Sequence, residues 1–285
     1  MNLHADLVPA GQGASLPVRM VEKVWGRDRL PAPFTAPPGQ RIGELWFEPP
    51  AALPDLLVKY IFTSDKLSVQ VHPSDAQTLA KGIGKQGKEE CWLVLAAEPD
   101  ARLGIGFHEA VDADTMRAAA IDGRIEQMLV WHAVKPGDFF YIPANTVHAI
   151  GAGVSVIEIQ QASDITYRLY DYGRPRELHL DEGIAVSLGE RYDLSRWHRQ
   201  VPEHGPAVLV EGPYFRLEQV AGAPDAAVLA RFAGAPLLAI PLEGAVVIDG
   251  EVLAPGTCGL AGNVEAISFA QGGKCLLAQS VASAE

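Results

Sequence analysis

Short stretches of apolar or alternating residues, each closed by turn residues, run through the whole chain and are its most constraining feature. Stretches of about four to eight residues have the length of β-strands rather than of helices. The 28 glycines and 21 prolines supply turns between them. Strands are predicted at 44–47, 56–62, 67–72, 91–96, 139–142, 154–161, 207–210, 214–220, 237–241, 245–248 and 274–281. Many short strands with few helices predict a mainly β protein of antiparallel jelly-roll or barrel architecture.

The predicted strands fall into two blocks. The first block is interrupted at about 110–130, where an alanine-rich segment with Asp114 as its N-cap and Gly123 at its end predicts one or two small helices. A polar segment separates this block from the next strands. The expected division is a first unit at 1–190, a connector at 191–205 and a second unit at 206–285.

A similar turn segment occurs once in each block. The two copies are VKPGDFFYIPANTVHAI at 134–150 and VLAPGTCGL at 252–260. The first copy carries His148, whereas the second has small or apolar residues where a metal ligand would be needed. We therefore expect a single active site in the first unit and a metal-free second unit.

Composition limits the classes of partner. Lys plus Arg number 23 and Asp plus Glu number 35, so the net charge of −12 disfavours nucleic acid and anionic lipid. Cys91, Cys258 and Cys275 lack metal-type spacing and are expected as reduced thiols in the core. The chain shows no basic start followed by an apolar run, and its most apolar stretch, 232–248, contains prolines and a glutamate. We expect a cytoplasmic protein with no nucleic-acid or membrane partner.

The strand at 67–72 places three polar side chains on one face. In a strand, residues two apart share a face, so Ser68, Gln70 and His72 point one way while the apolar residues between them point the other. A solvent-facing strand edge would show the same pattern. This segment alone therefore leaves a metal site and an exposed edge open.

The segment GKEECWLVL, residues 87–95, carries charges into an apolar strand. Alternation puts Lys88, Glu90 and Trp92 on one face, with Glu89 and Cys91 on the other. Charged residues at the solvated start of a strand would show the same pattern. This segment alone therefore leaves open whether these side chains bind a ligand or are merely solvated.

The segment at 142–161 adds a second histidine and a second carboxylate. Asn145 is expected in a turn with positive φ, His148 follows on a strand, and Glu158 and Gln160 share one strand face. Two imidazoles, a carboxylate and an amide on separate strands suit a borderline divalent metal such as zinc. The combination is far more specific than any of its parts.

The segment at 163–176 contributes Asp164, Thr166 and Arg168 on one alternation. The rigid guanidinium fork of arginine suits phosphate or an oxyanion. The alternative is a surface ion pair of Arg168 with Asp164 or Asp171, which would contribute little stability.

Taken together, these segments resemble the type I mannose-6-phosphate isomerase family, a cupin-fold group, over most of the chain. The strings that carry the resemblance are VEKVWG, IGELWFE, LLVKYIFTSDKLSVQVHPSD, GKEECWLVL and YIPANTVHAIGAGVSVIEIQQASDITYRLYDYGRP. The resemblance implies two cupin-type jelly-roll β-barrel units with a small helical insertion. It also implies zinc-dependent aldose–ketose isomerisation of mannose 6-phosphate and fructose 6-phosphate through an enediol or enediolate.

The resemblance also assigns roles within the first unit. The implied ligands of one Zn²⁺ per chain are Gln70, His72, Glu90 and His148. The implied residues around the reacting carbons are Glu158, Arg168, Lys88 and Asp164, and those near the substrate's phosphate are Lys59 and Ser68. Trp92 and Trp46 are expected near the cavity mouth, in reach of the sugar ring. Glu158 is the first candidate for the general base, with Lys88 and Asp164 as alternatives.

Two other functions are compatible with the same fold. A sugar-phosphate-binding cupin without isomerase activity would be favoured by loss of Lys88, Glu158 or Arg168, all of which are present. A metal oxygenase would favour a more histidine-rich ligand set, and Gln70 disfavours it. The expected partner is a small-molecule sugar phosphate, with monomer and homodimer both open. The remaining histidines are predicted to be structural: His4, His108, His132, His179, His198 and His204.

Overall fold

A computed structural model describes residues 14–281, and most of its secondary structure is antiparallel β-strand. The strands are β1 (Val18–Arg27), β2 (Ile42–Phe47), β3 (Leu56–Phe62), β4 (Val69–Val71), β5 (Glu90–Ala97), β6 (Arg102–Phe107), β7 (Leu129–Ala133), β8 (Asp138–Ile142), β9 (His148–Ile150), β10 (Val154–Gln161), β11 (Tyr167–Tyr170), β12 (His198–Gln200), β13 (Ala207–Glu211), β14 (Phe215–Ala221), β15 (Leu237–Glu243), β16 (Val246–Ile248), β17 (Glu251–Leu253), β18 (Gly259–Ala261), β19 (Ile267–Phe269) and β20 (Lys274–Ser280). The helices are α1 (Asp75–Lys81), α2 (Ala113–Asp122), α3 (Ile125–Met128), α4 (Leu180–Val186), α5 (Leu194–Trp197) and α6 (Ala226–Phe232), with a 3₁₀ turn at Val264–Ala266.

The strands pair into four sheets. A seven-stranded sheet has the order β1-β2-β3-β10-β5-β8-β12, and a five-stranded sheet has the order β11-β4-β9-β6-β7. The later strands form a second five-stranded sheet, β13-β14-β20-β15-β18, and a three-stranded sheet, β17-β16-β19. Strand β12, within the predicted connector, pairs with β8 and so extends the first sheet. Sheet membership therefore changes between Gln200 and Ala207.

Buried apolar side chains join the two strand blocks. One core cluster contains Tyr60 and Phe62 from β3 together with Phe215 and Leu276 from β14 and β20. Burying a large apolar side chain stabilises a fold by about 1.5–3 kcal/mol relative to leaving it exposed. The two blocks therefore pack through a shared apolar layer. A separate cluster lies between the first two sheets and contains Trp92.

The mainly β prediction is confirmed, and each predicted strand corresponds to an observed one with small shifts at its ends. Helices α2 and α3 occupy the predicted insertion, but Asp114 does not cap α2. The N-cap is Asp112, whose Oδ1 accepts the amide of Thr115 at 2.8 Å, and Asp114 lies in the first turn. An aspartate two residues earlier can accept this amide because the chain at Asp112 is extended, as a cap requires.

Two expectations about single side chains also hold, those for Asn145 and for the cysteines. Asn145 has a φ of 70°, and the three cysteines are buried free thiols. Within residues 14–281, no helix combines the length and apolar character that a membrane span needs. His4 lies outside the described residues.

Candidate metal and substrate site

Strand β4 divides its side chains as alternation predicts. Val69 and Val71 are fully buried in an apolar cluster, whereas Ser68 and Gln70 line a cavity between the first two sheets. Gln70 is paired with His148 of β9 across the antiparallel ladder, and His72 follows immediately after the strand. Sheet register therefore brings His148 beside Gln70 and His72, from which it is distant in the sequence.

Strand β5 supplies the next group. Lys88, Glu90 and Trp92 lie on the cavity side, while Cys91 and Leu93 pack into the core shared with the second block. The charged side chains therefore do not mark a solvated strand entrance. Both Lys88 and Glu90 are buried, with 4% and 0% of their surface exposed.

His72, Glu90 and His148 meet at one point. Their potential ligand atoms all lie within 4.8 Å of one another, with His148 Nε2 3.2 Å from Glu90 Oε1 and His72 Nε2 3.6 Å from Glu90 Oε2. Each ring has its other nitrogen against a carbonyl oxygen at 2.9 Å, that of Ile165 for His72 and that of Thr146 for His148. A protonated Nδ1 donating to that oxygen leaves the Nε2 lone pair directed at the shared point.

The donor set fits a zinc ion. Neither oxygen of the fully buried Glu90 carboxylate accepts a hydrogen bond of acceptable geometry within residues 14–281, although Lys88 Nζ lies 2.7 Å from Oε2. Lys88 compensates one oxygen of this buried carboxylate, and a bound cation between the histidines would compensate the other, Oε1. Gln70 lies beside His148, with its amide Nε2 3.2 Å from His148 Nε2 and its Oε1 accepting from Ser68 Oγ at 3.3 Å. A half-turn of the amide would direct the oxygen, its ligating atom, towards a metal. Two imidazoles, a carboxylate and an amide suit a borderline divalent metal.

Burial sets the protonation of these groups in the absence of metal. It raises the pKa of Glu90 to about 8, against the opposing charge of Lys88. It lowers the pKa of His148 to about 4. Burial, together with the charges of Lys88 and His148, also lowers the pKa of His72 well below its usual value. Both imidazoles are therefore neutral near pH 7, as metal ligands must be.

Lys88 lines the cavity and also contacts two of the metal-ligating residues, His72 and Glu90. Its Nζ lies 3.1 Å from His72 Nε2 and 2.7 Å from Glu90 Oε2. Burial disfavours the ammonium, but Glu90 and Glu158 outweigh it and raise the pKa of Lys88 to about 12. Lys88 is therefore a cationic hydrogen-bond donor in this arrangement.

Glu158 is held from two sides. Trp92 Nε1 donates to its Oε1 at 3.1 Å, and Lys59 Nζ lies 3.0 Å from its Oε2. Lys59 also donates to Gln160 at 2.5 Å and lies 4.3 Å from the ring centre of Trp46. Burial disfavours the Glu158 carboxylate, but the charges of Lys59 and Lys88 hold its pKa below the usual range. Glu158 is therefore ionised.

A cavity of about 260 Å³ opens beside this group, between the first two sheets. Such a volume suits a small polar ligand, because sites for drug-sized molecules are typically about 300–1,000 Å³. Its lining includes the predicted residues Lys59, Ser68, Gln70, Lys88, Trp92, Glu158, Asp164 and Arg168. A larger cavity of about 810 Å³ lies where the two strand blocks meet, and none of the predicted site residues lines it.

The alternative role of Arg168, a surface ion pair with Asp164 or Asp171, is not observed within residues 14–281. In β11 Arg168 pairs across the sheet with Gln70, which brings its backbone next to the metal-ligating group. Its Nη1 donates to the carbonyl of Glu177 at 2.6 Å, and its buried Nε has no hydrogen-bond partner among the described residues. Asp171 instead accepts from Arg174 and Arg176. The alternative with Asp171 fails because Asp171 lies on the opposite alternation and faces the following loop, and no ion pair between Arg168 and Asp164 is found among the described residues.

Three charged residues that line the cavity were not predicted from the sequence: Lys23, Glu44 and Arg176. Lys23 and Glu44 come from neighbouring strands β1 and β2, and their side chains form an ion pair at 3.2 Å. Arg176 follows β11, where the alternating pattern has ended. The GELWFE segment offered a signal for Glu44, since a glutamate there enters an apolar strand.

The remaining described histidines lie outside the metal-ligating group. His179 accepts the backbone amide of Arg168 at 3.1 Å, and His198 lies 3.0 Å from Asp138. His132 packs near Phe140 and Tyr192. A structural role for these side chains remains the interpretation.

Known proteins resemble this chain in sequence over part of its length and in fold over most of it. No protein-family model matches the chain. Mannose-6-phosphate isomerase ManA of Bacillus subtilis is 41% identical over 170 residues, covering 56% of this chain and 53% of that protein. The mannose-6-phosphate isomerase of Streptococcus mutans is 40% identical over 167 residues, covering 56% and 52%. The chain resembles mannose-6-phosphate isomerases. Each alignment spans about half the length of the curated relative.

Solved structures show the shared fold over nearly the whole chain. The crystal structure of the mannose 6-phosphate isomerase from Bacillus subtilis superposes with a TM-score of 0.76 at 23% identity, covering 93% of this chain and 98% of that one. A zinc-bound mannose 6-phosphate isomerase gives 0.67 at 16% identity, covering 94% and 99%. At these identities the likeness concerns the fold.

Proposed function

We propose that this protein is a zinc-dependent aldose–ketose isomerase that interconverts mannose 6-phosphate and fructose 6-phosphate. The observation that carries the proposal is the meeting of His72, Glu90 and His148 beside a cavity that also holds Lys88 and Glu158. The names of the curated relatives agree with it.

The proposed metal site consists of Gln70, His72, Glu90 and His148, which would hold one Zn²⁺ per chain. When bound, zinc supplies Lewis-acid stabilisation of the charge that develops on the sugar oxygens, worth several kcal/mol. The two histidine–carbonyl contacts fix the rings in the orientation that ligation needs. The site therefore comes largely preformed from the fold.

Isomerisation moves one proton between neighbouring carbons. The proton on C2, next to the aldehyde carbon C1, is removed and an enediol or enediolate forms. C1 then receives a proton, while the C2 oxygen gives up its hydroxyl proton and the C1 oxygen gains one. We assign the proton-accepting role to Glu158, which is ionised and lines the cavity. A well-placed general base contributes about 10²- to 10⁴-fold in rate. Lys88 serves as the cationic donor to a substrate oxygen, and Asp164 remains the alternative base.

The basic side chains divide between catalysis and binding. Lys59 is committed to Glu158 and Gln160, so its proposed contribution near the phosphate is through its charge rather than a free hydrogen bond. Arg168 and Arg176 line the cavity, and a guanidinium group suits an enediolate as well as a phosphoryl group. Arg168 keeps its proposed place at the reacting carbons, and Arg176 is assigned to the phosphate. Binding energy at the phosphate end is remote from the reacting carbons and can position them. Ser68 and Trp92 complete the proposed substrate-binding wall.

The proposal is tested with purified protein that is first stripped of metal and then given one equivalent of zinc. Fructose 6-phosphate formed from mannose 6-phosphate is measured in a coupled assay. Turnover that disappears on stripping and returns with zinc supports the proposal. Bound zinc and bound sugar phosphate without turnover would contradict it and favour a sugar-phosphate-binding protein.

A further inference from the structure

The short segment from His72 to Gln77 contacts the chain just before each of the other two strands that carry metal-ligating residues, β5 and β9. Towards β5, Pro73 accepts the amide of Lys88 at 3.0 Å. Towards β9, the carbonyl of His72 accepts the amide of Asn145 at 2.8 Å. The segment is therefore a junction between the backbones that position His72, Glu90 and His148.

A side-chain hydrogen bond reinforces the junction towards β9. Asn145 Nδ2 donates to Gln77 Oε1 at 2.6 Å. The same Gln77 oxygen accepts from Ser74, from its amide at 2.8 Å and from its hydroxyl at 3.1 Å. Gln77 is thus fixed by the capping box that begins α1. The bond links the start of α1 to the turn that leads into β9.

The backbone turn at Asn145 also sets the orientation of His148. Asn145 has a φ of 70°, a left-handed conformation that asparagine tolerates better than most residues. The carbonyl oxygen of the next residue, Thr146, lies 2.9 Å from Nδ1 of His148 and accepts its proton in the tautomer that leaves Nε2 free for a metal. A shift of this turn would therefore move the Nε2 of His148 relative to that of His72. Zinc–nitrogen bonds of about 2.0–2.1 Å leave little tolerance for such a shift.

We propose that Gln77 and Asn145 are positioning residues whose hydrogen bond sets the separation of the two histidine ligands and thereby the affinity for zinc. The inference rests on the metal-binding part of the proposed function and not on isomerase activity. A purely structural bond would lower the stability of the zinc-free protein and leave its zinc affinity unchanged.

Two variants remove the bond from opposite sides. Asn145→Gly deletes the Nδ2 donor while keeping a residue that adopts positive φ without strain. Gln77→Met deletes the acceptor at similar volume. Asp225→Ala is the matched control, because it removes the cap of α6, where Asp225 accepts two backbone amides at 2.9 Å in the second strand block. Zinc affinity is measured by competition with a chromophoric chelator, and thermal unfolding is measured on zinc-free protein.

We expect a loss of zinc affinity of about 10- to 100-fold in Asn145→Gly and Gln77→Met, the range found for residues that orient metal ligands. The double variant should lose less zinc affinity than the sum of the two single losses, since both substitutions remove the shared bond between Asn145 and Gln77. With Co²⁺ in place of zinc, the visible absorption of both variants should shift. Asp225→Ala should lower the unfolding temperature and keep wild-type zinc affinity.

Zinc affinity within twofold of wild type in both single variants would overturn the inference, as would equal losses in Asp225→Ala. The outcome is separable from that of the proposed function. A wild-type protein that binds zinc but does not isomerise would contradict the proposed activity and leave the positioning test intact. A wild-type protein without zinc affinity would overturn both.

Discussion

The Nζ atom of Lys88 lies 2.7 Å from Oε2 of Glu90, and both side chains are shielded from solvent. The ammonium thus adjoins the metal-ligating carboxylate while its residue also lines the substrate cavity. Replacing Lys88 by Met removes the charge and the donor but retains an unbranched side chain. Lys88 therefore adjoins both the metal ligands and the substrate cavity, and this substitution can show whether it serves zinc binding, turnover or both.

For Lys88→Met, we expect zinc binding to be retained and turnover to fall about 10²- to 10⁴-fold, the usual contribution of an acid–base group. Zinc binding persists because the substitution removes a positive charge beside the metal ligands. Zinc content and coupled-assay rates measured on the same preparation check this. Loss of zinc in step with activity would assign Lys88 to the metal site alone.

Zinc uptake should release a proton in a pH-dependent manner. Burial raises the pKa of Glu90 to about 8, so this carboxyl carries its proton at pH 7 in zinc-free protein. His72 and His148, whose pKa values are lowered, are already neutral there. Zinc binds the carboxylate, so about one proton leaves at pH 7 and fewer leave as the pH passes 8. Affinity therefore rises with pH up to that value.

Calorimetric titration of zinc in two buffers of different ionisation enthalpy measures the number of protons released. Runs at pH 6.5, 7 and 9 cover the transition. Proton release that is absent at pH 7, or that grows above pH 8, would show that Glu90 is not the protonated ligand.

Arg176 and Arg174 provide a matched pair for the substrate's phosphate. Both contact Asp171, but only Arg176 lines the cavity, while Arg174 also pairs with Asp65 at 2.7 Å. We expect Arg176→Gln to raise KM for mannose 6-phosphate about tenfold or more, since a charge-assisted contact to phosphate is lost. Arg174→Gln should keep KM near wild type. Steady-state kinetics of both variants measure the two KM values. Equal increases in KM would mean that Arg176 acts only by holding the loop through Asp171, as Arg174 does.

Gly87 allows the strand that carries Lys88 and Glu90 to approach the junction segment. A β-carbon there would lie 2.4 Å from the carbonyl oxygen of Pro73, so backbone must move. Overpacking of this kind costs about 1–3 kcal/mol, and the shift would also displace Glu90. Gly87→Ala should lower both the unfolding free energy and zinc affinity. Gly262→Ala, whose β-carbon meets nothing within 4 Å, should change neither.

Denaturant unfolding and chelator competition provide the two readouts for these glycine variants. If Gly87→Ala kept wild-type stability and zinc affinity, the close contact between Gly87 and the Pro73 carbonyl would not be needed to position Glu90.

Alternation within single strands predicted which side chains share a face. It placed Gln70 with Ser68, and Lys88 with Glu90 and Trp92, because a strand repeats every two residues. The same argument could not predict which strands would be neighbours. Lys59 reaches Glu158 because β3 pairs with β10 in a register that sets these residues opposite each other. That register depends on packing of the whole sheet.

The elements that the sequence analysis missed have local explanations. Helix α1 begins at a capping box formed by Ser74 and Gln77, a signal that the sequence carries but that the strand pattern around it obscured. Apolar and polar residues do not alternate regularly in the sequence of β1, VRMVEKVWGR, although its burial in the sheet does alternate, so Lys23 was not placed at the cavity. Arg176 lies in a loop, where no periodicity applies.

The most direct test of the zinc site compares His148→Ala with His132→Ala. His148 lies in the buried metal-ligating group, whereas His132 lies outside it. Zinc per chain and fructose 6-phosphate formation are measured together on both variants and on wild type. We predict that His148→Ala loses stoichiometric zinc and turnover, while His132→Ala keeps both. Full zinc content and turnover in His148→Ala would contradict the assigned site.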